Sequence, residues 1–429
     1  MRFDQALARL DARQPEHMPG PSLERIAALV DYLDQPQLTY PTIHVTGTNG
    51  KTTTARVAAA ITCGQGIETG LFTSPHLLSI TERFDVCGQP IEEQDFADAW
   101  AYLEPYLQLV DGAGHGEVTY FEAVTALAYV WFADRPVGAA VFEVGMGGSW
   151  DATNLVAGDV AVVCPVGMDH VAELGPTLAD IAGEKAGILK PGKVGVIREQ
   201  ADEVEAVLRS RADEVGSALL WEGREWDIDD RVPAVGGQVL AVRAPLATYD
   251  ELFLPLHGEH AAHNAAAGVV AVESLLGHPL DVVALRGSLR AVSTPGRLEV
   301  VGRQPLVVLD GAHNPEGAEA LAVAMREVFT WGRLHLVLSV SANKDLAGIL
   351  EPLVPLADVA YAARNASVRS AEALPIAEAF SAQGKPVELF GSVGQALDAA
   401  LAAALPDDLV LVTGSLFTVG DAKRALGVP

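Results

Sequence analysis

An α/β fold with a mostly parallel sheet is what this sequence predicts, on three observations. Short β-branched runs alternate with Ala- and Leu-rich stretches of helical length, the order of strands joined by covering helices. One such run, 42–45, leads into a glycine turn and then Lys-Thr-Thr, the strand–loop–helix order of a phosphate-binding loop. A Pro-Gly break at 294–297 separates this first strand/helix series from a second. A chain of 429 residues has room for two or three domains, and the units read as 1–294 and 295–429.

In the first unit, strands are expected at 42–45, 139–144, 160–164 and 194–197, with helices at 55–61, 121–132, 178–188 and 264–276. The run 236–242, opening on Gly-Gly, reads as part of an antiparallel hairpin. Strands of the second unit fall at 306–309, 334–338, 359–362 and 409–412.

Composition narrows the partners. Lys and Arg number 29 against 56 Asp and Glu, a net charge of −27. Such a surface repels nucleic acid and anionic membranes, so neither is expected as a partner. An anionic substrate then needs locally gathered positive charge or metal ions. Cys63, Cys87 and Cys164 are scattered with no CxxC pair, which argues against a disulfide framework and against a zinc site. The opening Met1-Arg2-Phe3-Asp4 has no apolar signal core and no apolar run is long enough to span a bilayer, so the expected location is cytoplasmic.

The loop Gly47-Thr48-Asn49-Gly50-Lys51-Thr52-Thr53 is a shortened variant, because the usual spacing would put its first glycine where Val45 stands. Lys51 is placed to reach terminal phosphates, and the Thr52 or Thr53 hydroxyl to ligate Mg²⁺; the bland reading is an ordinary strand–turn–helix connection. Glu143 ends an apolar strand and is followed by Gly145, Gly147 and Gly148, a setting for holding a metal beside the loop, although capping a helix or pairing with an arginine would also account for it. Asp151-Ala152-Thr153-Asn154 is a polar cluster or a plain turn. His170, after strand 160–164, is a second metal ligand or a satisfied polar residue.

Lys185 sits in a small-residue, apolar helix. It is either a stem covering apolar surface or a lysine of lowered pKa open to modification. In the second unit, Asp310–Pro315 follows an apolar strand at the edge where open α/β sheets bind ligands, and Arg297 on the linker could reach a phosphate between the units. A capping turn and a surface charge are the plain alternatives.

Together these segments, with Thr73-Ser74-Pro75-His76-Leu77, Leu256–His260 and Thr413–Leu416, resemble the folylpolyglutamate synthase/dihydrofolate synthase branch of the Mur ligases, in family order over nearly the whole chain. The resemblance implies an N-terminal P-loop ATPase domain and a smaller Rossmann-like C-terminal domain. It implies an ATP- and Mg²⁺-dependent ligase, in which a pteroate or folate carboxylate (dihydropteroate or a reduced folate) is phosphorylated and L-glutamate displaces the phosphate, working as a monomer. Position by position it implies that Gly47 to Thr53 bind nucleotide, with Lys51 on the terminal phosphates and Thr53 as the hydroxyl ligand. Ser74, Glu143 and His170 would be Mg²⁺ ligands, and Lys185 the lysine that is carbamylated to hold a second metal. Asn264, Arg297 and Asp310 match nucleotide positions. His313 and Ser415 are tied to glutamate, Arg83 to the acceptor loop, and Asp151 to the substrate side.

Two residues depart from the pattern. Gly-Lys-Thr-Thr stands where many members have Gly-Lys-Gly-Ser, and Ser149 stands where arginine is common. The second leaves open a related ligase acting on a non-folate carboxylate.

Overall fold

The computed structural model describes residues 1–15 and 22–428. Its largest sheet has eight strands: β1 (Thr42–Thr46), β2 (Thr69–Phe72), β3 (Phe84–Val86), β4 (Gln89–Pro90), β5 (Ala139–Glu143), β6 (Val160–Val163), β7 (Val194–Ile197) and β8 (Ala218–Trp221). They lie in the order β4-β3-β2-β5-β1-β6-β7-β8, with β3 and β4 antiparallel at one edge and the rest parallel. Every residue of β1, β2, β5 and β6 is buried, because helices cover both faces; hence their continuous apolar runs.

One face is covered by the helices Lys51–Gly64 and Glu259–Leu276, which belong to a single apolar core. Their backbones approach closely because Gly268 lacks a side chain: a Cβ there would lie 2.8 Å from Val57 Cγ1. The other face carries Tyr120–Asp134, whose apolar residues pack with Phe72, Phe84 and Phe142. The expected helix at 55–61 therefore begins earlier, at Lys51, directly against the phosphate loop.

The expected hairpin is the middle of a three-stranded antiparallel sheet, β9 (Asp227–Ala234), β10 (Gly237–Arg243) and β11 (Thr248–Leu254). The second unit builds a six-stranded sheet from β12 (Glu299–Arg303), β13 (Leu306–Leu309), β14 (Leu334–Leu338), β15 (Val359–Ala362), β16 (Val387–Leu389) and β17 (Leu409–Thr413). Its order is β12-β13-β17-β14-β15-β16, parallel except for β12, with helices and separate apolar cores on its two faces.

The cysteines depart from the expectation that none is paired. Cys63 and Cys87 form a disulfide, while Cys164 is buried and free. Cys63 lies in the last turn of Lys51–Gly64 and Cys87 in the β3–β4 turn, and only the sheet order brings these two points together. Among the described residues no helix is long and apolar enough to cross a membrane.

Candidate active site

β1 ends at Thr46, whose hydroxyl donates to Gly147 O (2.8 Å) and ties it to the loop after β5. The backbone then curls at Gly47 (φ 141°) and Gly50 (φ 92°). A Cβ on Gly47 would lie 2.6 Å from Cys164 Cβ, and one on Gly50 would run into the Asn264 amide, so both positions require glycine. Val45 needs none, since it is still a buried strand residue. The N-terminus of Lys51–Gly64 then faces a cleft, with its first N–H groups free of helical partners.

Lys51 Nζ donates to Gly47 O (3.0 Å) and Thr48 O (3.2 Å), and burial lowers its pKa against the pull of Glu143. Lys185 reaches the same carbonyl, Gly47 O, at 2.8 Å. It is 4 % exposed, and burial, then the Lys51 charge, pushes its ammonium down to about 7. Glu143 is buried and its pKa is raised by burial; Oε1 accepts from Thr52 Oγ1 (2.7 Å) and Oε2 from Ser74 N (3.1 Å).

Two adjoining cavities share the loop residues Asn49, Gly50 and Thr52, together with Arg297 and His313 from the second unit. Lys51, Ser74, Glu143, His170 and Lys185 line one of them. Thr53, Asn264 and Asp310 line the other. This separates the two threonines: Thr52 faces Glu143, and Thr53 faces the opposite cavity. Adjacent helical residues point about 100° apart, so only one hydroxyl of the pair can face the carboxylate. Thr53, expected to ligate metal, lies away from Glu143, and Thr52 makes the contact with that carboxylate instead.

Asp169 joins the two units. It accepts from Lys344 Nζ and from Asn314 Nδ2 (3.3 Å), and His313 Nε2 lies 3.7 Å away. Burial raises its pKa, but Lys344 and His170 outweigh that and hold it well below the carboxylate range. His313 Nδ1 donates to Gly311 O (2.8 Å), and burial, then Lys344, lowers its pKa to about 4. His170, lowered to about 4 chiefly by burial, adopts a left-handed backbone (φ 51°) that turns its ring to the cavity. Asn49 and Asn314 exchange amide hydrogen bonds (3.2 and 3.1 Å) across the units.

In the second cavity Arg198 Nη1 donates to Asn264 Oδ1 (2.6 Å) while its Nε donates to Glu222 (2.8 Å). Asp310 accepts from Leu298 N and Ala312 N (both 2.8 Å), which fixes the turn carrying Arg297. Lys344 and Arg198 were not among the sequence candidates. No local motif marks either one: each gains its partner from a segment far away in the chain.

Three candidates sit outside both cavities' linings. Arg83 Nε donates to His76 Nδ1 (3.0 Å) and its guanidinium lies 5.7 Å over the Tyr120 ring, beside the β3 edge. Asp151 accepts from Met146 N (3.0 Å) and Thr153 N (2.9 Å), fixing the glycine loop after β5. Ser415 caps the helix Leu416–Leu426 through Phe417 N (3.2 Å). Ser149, the departure from the pattern, donates from N (2.8 Å) and Oγ (3.1 Å) to Glu184 O, next to Lys185.

The site therefore gathers the basic side chains Lys51, Arg297 and Lys344, with the half-neutral Lys185 beside them, in an acidic protein, around a helix N-terminus. That arrangement binds a polyphosphate. Mg²⁺ fits the donor set as well. The Glu143 carboxylate with the Thr52 and Ser74 hydroxyls offers hard oxygens, and Mg²⁺ takes one or two carboxylates plus phosphate oxygens rather than a complete protein cage.

A phosphate loop on a parallel sheet, facing a second α/β unit across a basic cleft, defines an ATP-dependent ligase of the Mur type. Residues 45–272 match the Mur ligase middle domain and residues 296–416 the Mur ligase glutamate ligase domain. A dihydrofolate synthase/folylpolyglutamate synthase of Mycobacterium tuberculosis is 40 % identical, over 97 % of this chain and 92 % of that one. A structure of M. tuberculosis folylpolyglutamate synthase complexed with ADP superposes with a TM-score of 0.95 at 39 % identity, covering 100 % of this chain and 98 % of the other. An Escherichia coli FolC structure in complex with DHPP and ADP gives 0.88 at 32 % identity, covering 100 % and 98 %. The chain belongs to the dihydrofolate synthase/folylpolyglutamate synthase family.

Proposed function

We propose that this protein joins L-glutamate to the carboxylate of dihydropteroate or a reduced folate, with ATP as the activating substrate. The observation that carries the reading is the convergence of Lys51 and Lys185 on Gly47 O, with Glu143 bridging the loop hydroxyl of Thr52 to the backbone of Ser74. Nucleotide, metal and acceptor sides thereby meet at one point.

In the first step an acceptor carboxylate oxygen attacks the γ-phosphorus, the bond to the β–γ bridging oxygen breaks, and ADP leaves. Lys51 and the loop N–H groups hold the transferred charge. Thr52, Ser74, Glu143 and His170 would hold Mg²⁺, which offsets repulsion between the two anions. Lys185, with its pKa near 7, is largely neutral in mildly alkaline solution, as carbamylation requires; carbamylation forms an N–C bond to CO₂, releases one proton and leaves an anionic group for a second metal.

In the second step the amine of glutamate attacks the acyl carbon, loses a proton, and phosphate departs with the carboxylate oxygen. His313 bonds through Nδ1–H and keeps the Nε2 lone pair free to take that proton. We assign glutamate to the side of His313 and Ser415, the nucleotide to Asn264, Arg297 and Asp310, and the acceptor to the loop of His76 and Arg83 with Asp151 behind it.

We further place the domain boundary at 294/295, on the Pro-Gly linker before β12, and read the enzyme as a cytoplasmic monomer without nucleic-acid or membrane partners, in keeping with its net charge of −27. Incubation with ATP, Mg²⁺, L-glutamate and dihydropteroate or tetrahydrofolate should give a product one glutamyl unit heavier. If neither acceptor is glutamylated and another carboxylate is, the folate assignment fails and the non-folate reading suggested by Ser149 replaces it.

A further inference from the structure

The segment 73–83 joins the cleft to two places beside it. Near its start Ser74 N donates to Glu143 Oε2 (3.1 Å). At its end Arg83 donates to His76 Nδ1 (3.0 Å) beside Tyr120; burial, then Arg83, lowers the His76 pKa to about 4, so the ring keeps the lone pair this bond needs. In the middle Leu77 packs on the second unit's core, against Gly296 and the helix Leu416–Leu426. A Cβ on Gly420 of that helix would lie 2.6 Å from Leu77 O, and Arg424 Nη2 donates to the same oxygen (3.4 Å).

The only regular structure in this segment is the 3₁₀ turn Ile80–Arg83, so its backbone N–H groups need other acceptors. Glu82 supplies them. Oε2 accepts from Leu77 N, and Oε1 accepts from both Leu78 N and Ser79 N, each at 2.8 Å. Ser79 reciprocates: its side chain accepts from Glu82 N, closing a capping box, and also from Thr81 N (3.3 Å). Three successive N–H groups on one carboxylate are far more than a turn of four residues needs for its own cap.

We propose that Glu82 is a positioning residue for the acceptor: by gathering the N–H groups of Leu77, Leu78 and Ser79 it sets where the His76–Arg83 pair faces the acceptor and where Leu77 O meets the second unit. The inference rests on the assignment of this loop to the acceptor. Ionised, the Glu82 carboxylate has lone pairs for all three N–H groups. Glutamine keeps one carbonyl oxygen, serves two of them, and turns an NH₂ donor on the rest. Alanine serves none.

The test compares Glu82→Ala, Glu82→Gln and Gly420→Ala with the wild type, using whichever acceptor the wild type glutamylates. Glu82→Ala should raise the acceptor KM about tenfold or more while the KM for ATP and the Kd for Mg-ADP stay within about twofold. Glu82→Gln should recover part of the loss. Gly420→Ala, with Glu82 intact, should raise the acceptor KM by a smaller factor, because the new methyl presses on Leu77 O. Hydrogen exchange, which needs no acceptor, should quicken at Leu77, Leu78 and Ser79 in Glu82→Ala. An acceptor KM that does not move, or that moves in step with the ATP KM, overturns the proposal, as do unchanged exchange rates. A wild type that glutamylates no folate refutes the folate reading instead, and leaves the exchange result to decide the role of Glu82.

Discussion

Replacing Lys185 by methionine should change the stability of the protein in a pH-dependent way whose size follows from its burial. The ammonium is lowered from its ordinary 10.5 to about 7 in the folded chain. Between those values the unfolded chain holds the proton and the folded chain does not, so wild-type stability rises with pH across the window and levels off above it. At pH 7 the lysine costs about 4 kcal/mol relative to a permanently neutral group, and at pH 9 about 2 kcal/mol. The wild type should therefore gain about 2 kcal/mol on Lys185→Met between pH 7 and pH 9. The assay is urea unfolding at both pH values in CO₂-free buffer with a chelator, followed by tryptophan fluorescence. Trp331 alone among the six tryptophans lies beyond residue 294, so the signal reports chiefly the part that holds Lys185. A difference that stays constant between the two pH values would refute the claim that Lys185 is kept largely neutral, and with it the route to carbamylation.

Other outcomes follow from the same geometry. Lys51→Met should lower kcat by about 10³-fold or more without unfolding the chain, as read by ligase assay and circular dichroism, since in the proposed mechanism its ammonium, held at the loop by Gly47 O, carries the transferred charge. Thr52→Val should raise the Mg²⁺ concentration for half-maximal activity by about tenfold, and Thr53→Val much less; the reverse order would contradict the placement of the two hydroxyls. Gly50→Ala should abolish nucleotide binding in calorimetry, because its backbone is left-handed and the new methyl would strike Asn264.

The parts legible in the sequence were those whose signal is local. The loop 46–53 carries its glycines and lysine in one stretch, and the strands of the second unit, such as Leu334–Leu338, are short apolar runs between helices. Glu143 stood out because a carboxylate ending an apolar strand demands a partner, and it has Thr52 and Ser74. What escaped depends on rotation or on distance along the chain. Choosing between Thr52 and Thr53 needed the helix phase. Lys344 is 175 residues from Asp169, and the Cys63–Cys87 pair joins a helix end to a hairpin turn that sequence spacing does not connect. Ser149 looked like a lost arginine; its hydroxyl instead pins the backbone beside Lys185.

In the proposed mechanism the cleft activates a carboxylate by phosphorylation before the amine arrives. An acceptor labelled with ¹⁸O in both carboxylate oxygens tests it. One turnover with ATP, Mg²⁺ and L-glutamate should release inorganic phosphate carrying one ¹⁸O, with the other retained in the amide. Unlabelled phosphate, or label found in AMP, would contradict the acyl phosphate and the roles assigned to Lys51 and Lys185 around it.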